Sequence, residues 1–189
     1  MKNKVYVFRH GMTSYNRDRR FTGFFDAKLT KPGKDDAKIV ALRLKDKKID
    51  VAFHTRLSRS KDTLKEVLKF HPETQLLIED DRMIERSYGN LVGKTHLDIV
   101  KKYGYEQYDD WHRGFNKRPP KGESFADVEK RVKEFIKDLK KFIKTNNVDV
   151  CISAHGNSIR LMRKILEKLS VKETVKLHIA YDNYLEYEF

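Results

Sequence analysis

Cysteine is almost missing from this chain, with Cys151 standing alone. That excludes an intrachain disulfide and a cysteine-rich zinc site. Cys151 lies in an apolar run and is expected in the core. Long apolar runs are missing too. The start, Met1-Lys2-Asn3-Lys4, leads into a short strand-like segment. No stretch reaches the length of a signal peptide's apolar region or of a membrane span. A cytoplasmic protein with no membrane partner is the expectation. No repeat, low-complexity tract or linker divides the 189 residues, a length that suits one hydrophobic core, so residues 1–189 are expected to form a single domain.

Charge is plentiful. Lys and Arg number 41 against 28 Asp and Glu, a formal net charge of +13 that attracts anions through solution. A nucleic-acid binder would concentrate its cations in a tail or stripe. Here they are spread through amphipathic segments and mixed with acids, so we expect a small anion as the partner and no nucleic acid. Most of the lysines read as solvated surface.

Val5-Tyr6-Val7-Phe8 is a short β-branched and aromatic run that predicts a buried strand, with Arg9-His10-Gly11 at its C-terminal end. Beyond Pro32-Gly33, the spacing of Ala37, Val40, Ala41 and Leu44 predicts a helix, and Ile49 to Phe53 a second strand. Leu64, Val67 and Leu68 suggest another helix before a strand at Gln75 to Ile78. The longest helical face runs from Phe125 to Ile143, with Ser124 as its cap. Val148 to Ser153 is the clearest buried strand. It delivers Ala154-His155-Gly156-Asn157 ahead of a helix carrying Ile159, Met162, Ile165, Leu166 and Leu169. Asp80 to Gly122 reads as an irregular excursion, broken at Tyr88-Gly89, Gly104 and Pro119-Pro120. Tyr184 to Phe189 alternates in character and predicts a strand at the sheet edge.

Two strands that each end in His-Gly bring His10 and His155 toward one carboxyl edge of a parallel sheet, where α/β proteins hold ligands. A glycine after each would let a ligand approach the backbone. Arg9 abuts His10, and Arg59 follows the second strand. Two guanidinium groups suit phosphoryl oxygens better than a neutral ligand. An imidazole can attack phosphorus while a cationic clamp stabilises the equatorial oxygens. On this reading His10 attacks and His155 clamps. A carboxyl group would serve proton transfer in both half-reactions. Glu85 is the candidate, although composition alone reads it as a surface glutamate.

Arg9-His10-Gly11-Met12-Thr13, with Asn16 and Phe21-Thr22-Gly23, resembles the first signature of the histidine phosphatase superfamily, in particular its cofactor-dependent phosphoglycerate mutases. Thr55 to Thr63 resembles the family's second arginine motif. Glu85-Arg86-Ser87-Tyr88-Gly89 resembles its acid/base motif, and Ala154-His155-Gly156-Asn157-Ser158 its second histidine motif. The resemblance implies a three-layer α/β/α fold with a mostly parallel central sheet, an antiparallel edge strand and an irregular helical insertion, about residues 80–122, over the site. It implies that His10 is phosphorylated, that Arg9, Arg59, His155 and Asn16 bind the phosphoryl group, and that Glu85 moves the proton. No metal is implied. Asn157 is expected among the substrate- and phosphate-binding residues, and Thr13 is a further candidate from its motif.

The superfamily contains mutases and phosphatases. Phe21-Thr22-Gly23-Phe24, the order Glu85-Arg86-Ser87-Tyr88, and the stretch from Lys102 through Trp111 to Ser124 look like the mutase branch. By that resemblance Arg86, Tyr88 and Arg113 bind a glycerate carboxylate, helped by the backbone at Thr22 and Gly23. The implied reaction interconverts 3-phosphoglycerate and 2-phosphoglycerate, with 2,3-bisphosphoglycerate as primer. The alternative is hydrolysis of a small phosphate monoester. Two positions depart from the mutase pattern. His96 falls where it usually has lysine, with Lys94 a nearby substitute, and His112-Arg113 replaces paired arginines. Each histidine is expected to exchange a permanent cation for one titrating near neutrality. The family's assemblies vary, which leaves a homo-oligomer open.

Overall fold

The structure, a computed structural model, describes residues 3–189. Strand β1 (Lys4–Arg9) is followed by a single-turn helix α1 (Ser14–Arg17), helix α2 (Lys31–Leu44), strand β2 (Val51–His54), helix α3 (Ser58–Val67) and strand β3 (Leu76–Glu79). Helices α4 (His96–Tyr103) and α5 (Tyr105–Arg113) lie in the excursion, and α6 (Phe125–Asn146) follows it. Strand β4 (Val150–Ala154), helices α7 (Gly156–Glu167) and α8 (Val171–Lys176) and strand β5 (Tyr184–Glu188) complete the chain. The sheet order is β3-β2-β4-β1-β5. The first four strands are parallel, and β5 runs antiparallel along the outer edge of β1.

The alternation of side chains along each strand builds the three layers. Val5 and Val7 of β1 pack with Val150 and Ile152 of β4 against Val132, Phe135 and Leu139 of α6 and Ile159 and Met162 of α7. Tyr6, Phe8, Ala52 and Cys151 point the other way, against Val40, Ala41 and Leu44 of α2 and Leu64 and Val67 of α3. Cys151 is therefore core, as its apolar run predicts. Ser124 caps α6 as expected: its Oγ accepts from the Asp127 amide at 3.1 Å, and the Asp127 carboxylate returns to the Ser124 amide. Among the described residues, no helix is long and apolar enough to cross a membrane.

The excursion is more ordered than its breakers suggest. Gly104, at φ 82°, separates α4 from α5, and Phe21, Tyr88, Leu91 and Ile99 form a small core of their own beneath Tyr108 and Trp111. Helices α1 and α8 have no counterpart in the sequence reading. Each spans at most six residues, too short for an apolar period to register, and is set by its cap at Thr13 or Ser170.

Register fixes the site. Val5 pairs with Val150 and Arg9 with Ala154, so the next residue on each strand, His10 and His155, emerges side by side. The His10 amide donates to the Ala154 carbonyl at 3.1 Å. The glycine after His10 serves the protein's own packing, a correction to the expected ligand approach at that position, whereas Gly156 lines the site's pocket. A Cβ on Gly11 would stand 1.9 Å from the Gly33 carbonyl oxygen at the start of α2. A Cβ on Gly156 would press on the guanidinium groups of Arg160 and Arg9 at 3.3 and 3.4 Å. Backbone cannot yield as a flexible side chain can. Gly11→Ala is therefore expected to lower unfolding stability by about 2 kcal/mol or more, read as a lower urea midpoint with unchanged slope.

Candidate active site

A pocket opens at the carboxyl edge of β1 and β4. Its walls carry five arginines (Arg9, Arg20, Arg59, Arg113 and Arg160), the histidines His10, His96 and His112, and a single carboxylate, Glu85. Such a lining favours an anion strongly. Asn16, Thr22, Gly23, Tyr88 and Asn157 also face it.

His10 is buried at 2% exposure, and its tautomer follows from its neighbours. Nδ1 lies 2.7 Å from the Gly11 carbonyl oxygen. A carbonyl only accepts, so Nδ1 carries the proton and Nε2 the lone pair. Nε2 accepts from Arg59 Nε at 3.2 Å. Burial first, then the charges of Arg59 and Arg9, push the imidazole well below its ordinary value. The ring is thus neutral, with its nucleophilic nitrogen turned to the arginine.

Arg59 is the second residue of α3, and its side chain is braced on both sides. Nη1 donates to the Phe25 carbonyl at 2.8 Å and Nη2 to the Gly23 carbonyl at 2.9 Å. Burial lowers its pKa to about 10, which still leaves the guanidinium charged at neutral pH. Arg9 donates through Nη1 to the Ile179 carbonyl and lies 4.0 Å over the Tyr181 ring, while its buried Nε has no partner among the described residues. His155 sits 5.0 Å from His10 between ring centres. Its Nε2 is hydrogen-bonded to Thr55 Oγ1 at 2.8 Å, its buried Nδ1 has no partner among the described residues, and the ring lies behind the pocket wall without lining it. Asn16 spends Oδ1 on the amide and hydroxyl of Thr13, which leaves Nδ2 to donate into the pocket. Thr13 itself caps α1 and does not line the pocket.

Glu85 meets the pocket from the excursion, 8% exposed. Its Oε1 accepts from the Arg86 amide at 2.8 Å and from the Asn157 amide, in the first turn of α7, at 3.1 Å. Oε2 makes no hydrogen bond among the described residues. Arg131 of α6 holds this segment by donating to the carbonyls of Arg82, Ile84 and Glu85 and pairing with Glu123. The Glu123 carboxylate in turn accepts from the Ser87 amide at 2.8 Å.

Not every candidate arrives. Arg86 is fully buried, stacked between the rings of Tyr88 and Phe125 at 4.5 and 4.4 Å, and donates to the carbonyls of Trp111 and His112. It ties the excursion to α5 and does not line the pocket. Lys94 is likewise outside the lining, and His96 takes the position. Asn157 donates to Tyr88 Oη and accepts from Arg160 Nη1, so its side chain orients its neighbours. Three residues escaped the sequence reading: Arg160, Arg20 and Thr55. Arg160 lies one turn into the helix that His155 begins, and Thr55 opens the arginine motif. Those positions were the available signals.

The expectation that His96 and His112 titrate near neutrality is overturned. Burial, reinforced by Arg113, holds His96 down to about 4 and His112 to about 2. His10, His155, His96 and His112 therefore all stand below the ordinary 6.5 in the folded chain. Above about pH 6.5 they are neutral folded or unfolded and stability is unaffected. As pH falls below that value, the unfolded chain binds protons the folded chain refuses. Each histidine then costs up to about 1.4 kcal/mol per pH unit. The urea midpoint should be flat between about pH 8 and 7 and fall steeply below about pH 6. A flat profile through that acid limb would contradict the burial described.

Among the described residues, no group of three or more His, Cys, Asp or Glu side chains is placed to hold a metal ion. An α/β/α sheet with paired histidines and arginines at one strand edge defines a recognisable class. The chain belongs to the histidine phosphatase superfamily (branch 1), whose family model matches residues 5–189. Its relatives include the 2,3-bisphosphoglycerate-dependent phosphoglycerate mutase of Mesorhizobium japonicum, 36% identical over an aligned length of 184 residues, with coverage of 95% of this chain and 89% of that protein. A phosphoglycerate mutase of Schizosaccharomyces pombe is 35% identical across 94% of this chain and 86% of that one. The fold is shared with the alpha-ribazole phosphatase from Shigella flexneri, with a TM-score of 0.84, 21% identity, and coverage of 97% of this chain and 89% of that one.

Proposed function

We propose that the protein transfers phosphoryl groups through a phosphohistidine at His10, interconverting 3-phosphoglycerate and 2-phosphoglycerate with 2,3-bisphosphoglycerate as primer. The observation that carries the chemistry is the His10 ring itself: its proton is held on Nδ1 by the Gly11 carbonyl, and Nε2 faces an arginine-lined pocket. The relatives named phosphoglycerate mutase, similar over nearly the whole chain, support the substrate.

The primer's phosphoryl group settles between Arg9 and Arg59, which neutralise its oxygens, and His155 Nδ1 and Asn16 Nδ2, which donate hydrogen bonds to them. Nε2 of His10 attacks phosphorus as the phosphorus–oxygen bond to the glycerate breaks, and the leaving oxygen takes a proton from Glu85. In the return step a hydroxyl of the bound phosphoglycerate loses its proton to Glu85 and attacks phosphohistidine, which restores His10. Arg113 and the Thr22–Gly23 backbone, together with Tyr88, hold the carboxylate end. Arg160 and Arg20 add positive charge at the same pocket.

The test supplies 3-phosphoglycerate with a trace of 2,3-bisphosphoglycerate and follows 2-phosphoglycerate and free phosphate together. Isomerisation without stoichiometric phosphate release is the expected result. Phosphate release alone would replace the mutase assignment with hydrolysis.

A further inference from the structure

Residues 84–88 belong to no helix or strand, so the carbonyls around Glu85 find no partner in a ladder and need one from elsewhere. Arg131 of α6 supplies it. Its Nη1 donates to the Arg82 and Ile84 carbonyls at 2.7 and 2.8 Å, and its Nη2 to the Glu85 carbonyl at 3.1 Å. Its remaining donors meet Glu123, from Nε to Oε1 and from Nη2 to Oε2, both at 3.1 Å. Every N–H group of the guanidinium is thereby used.

The grip closes beyond Glu85 as well. Glu123 Oε2 also accepts from the Ser87 amide at 2.8 Å, and the Glu123 amide donates to the Ser87 carbonyl at 2.9 Å. One member of an ion pair thus holds the backbone at Arg82, Ile84 and Glu85, and the other holds it at Ser87, with the Glu85 side chain between. Val128 and Val132, fully buried on α6, fix that helix to the core. Neither Arg131 nor Glu123 lines the pocket.

We propose that Arg131 and Glu123 are a positioning pair that aims the Glu85 carboxyl group at the leaving oxygen and takes no part in binding substrate. The proposal rests on reading Glu85 as the proton donor and acceptor. Oε1 of Glu85 is fixed by the amides of Arg86 and Asn157, so the place of Oε2 follows from where this backbone stands against α7. Proton transfer needs that oxygen within hydrogen-bond reach of the leaving group. Lysine could not replace Arg131, because an ammonium on a flexible stem cannot span several carbonyls and a carboxylate as the rigid fork does.

Arg131→Lys keeps the charge and breaks the fork. Phosphoenzyme formation is followed from two donors: 2,3-bisphosphoglycerate, whose leaving oxygen needs a proton, and p-nitrophenyl phosphate, whose leaving oxygen does not. At saturation the variant is expected to react about 10- to 100-fold more slowly with the first and within about twofold of wild type with the second. The KM for 3-phosphoglycerate should stay where it is. In a Glu85→Gln background the same substitution should add no further loss. Equal slowing with both donors, a further loss on top of Glu85→Gln, or wild-type rates with both would overturn the positioning role. Glu85→Gln alone separates the two readings. If it slows both donors equally, the Glu85 assignment fails and the positioning role falls with it; if it slows only the bisphosphoglycerate while Arg131→Lys does not, the positioning role alone fails. Should Arg131→Lys not fold, as read by its urea midpoint, Glu123→Gln weakens the same pair and is expected to show the same split between donors.

Discussion

His10→Ala is expected to abolish phosphoenzyme formation and to cut turnover by about 10⁴-fold or more, the scale seen when a covalent nucleophile is removed. The loss should fall on kcat, because the remaining cations still hold the substrate. Arg9, Arg160 and Arg113 keep their places, and Arg59 keeps its bonds to the carbonyls of Gly23 and Phe25. Removing a ring that accepts from Arg59 Nε relieves one guanidinium bond for the ligand, so affinity for 3-phosphoglycerate should hold or tighten slightly. The fold should survive, since the register of β1 on β4 is set by residues before His10. Rapid alkaline quench after mixing with labelled 2,3-bisphosphoglycerate reads the first outcome, and calorimetry the second.

Glu85→Gln is expected to reduce turnover by about 10²- to 10⁴-fold through loss of proton transfer. The substitution is nearly isosteric. A glutamine oxygen still accepts from the amides of Arg86 and Asn157, which hold Oε1 at 2.8 and 3.1 Å, so stability should change little. What disappears is the ionisable oxygen free to face the substrate. The defect must then depend on the leaving group. Phosphoenzyme formation from p-nitrophenyl phosphate, whose leaving oxygen needs no proton, should be nearly unchanged, while reaction with a glycerate ester falls by the full factor. An equal loss with both esters would mean that Glu85 serves as a scaffold for α7.

The parts of this molecule that were readable in its sequence are those decided by local pattern. Val5 to Phe8 and Val148 to Ser153 declare themselves as buried strands, and their parallel pairing places His10 beside His155. Glu85, a surface residue by composition, became a candidate through its motif, and the structure sets it on the amide of Asn157. What stayed hidden depends on contacts between distant segments. The glycine after His10 looked like room for a ligand but is room for Gly33. Arg86 looked like a carboxylate ligand, yet its neighbours Tyr88 and Phe125 enclose it. His96 and His112 looked like pH-sensitive cations. Burial beside Arg113 makes them neutral, an electrostatic outcome that spacing along the chain does not encode. Arg160 went unnoticed because a basic residue inside a lysine- and arginine-rich helix reads as surface until the helix is docked.

The most direct test of the central claim is to locate the phosphoryl group. Incubating the protein with 2,3-bisphosphoglycerate, quenching in alkali and mapping the modified peptide should find one phosphoryl group on His10, stable to alkali and released by acid. A phosphoryl group on any other residue, or turnover that continues with His10 never labelled, would contradict it.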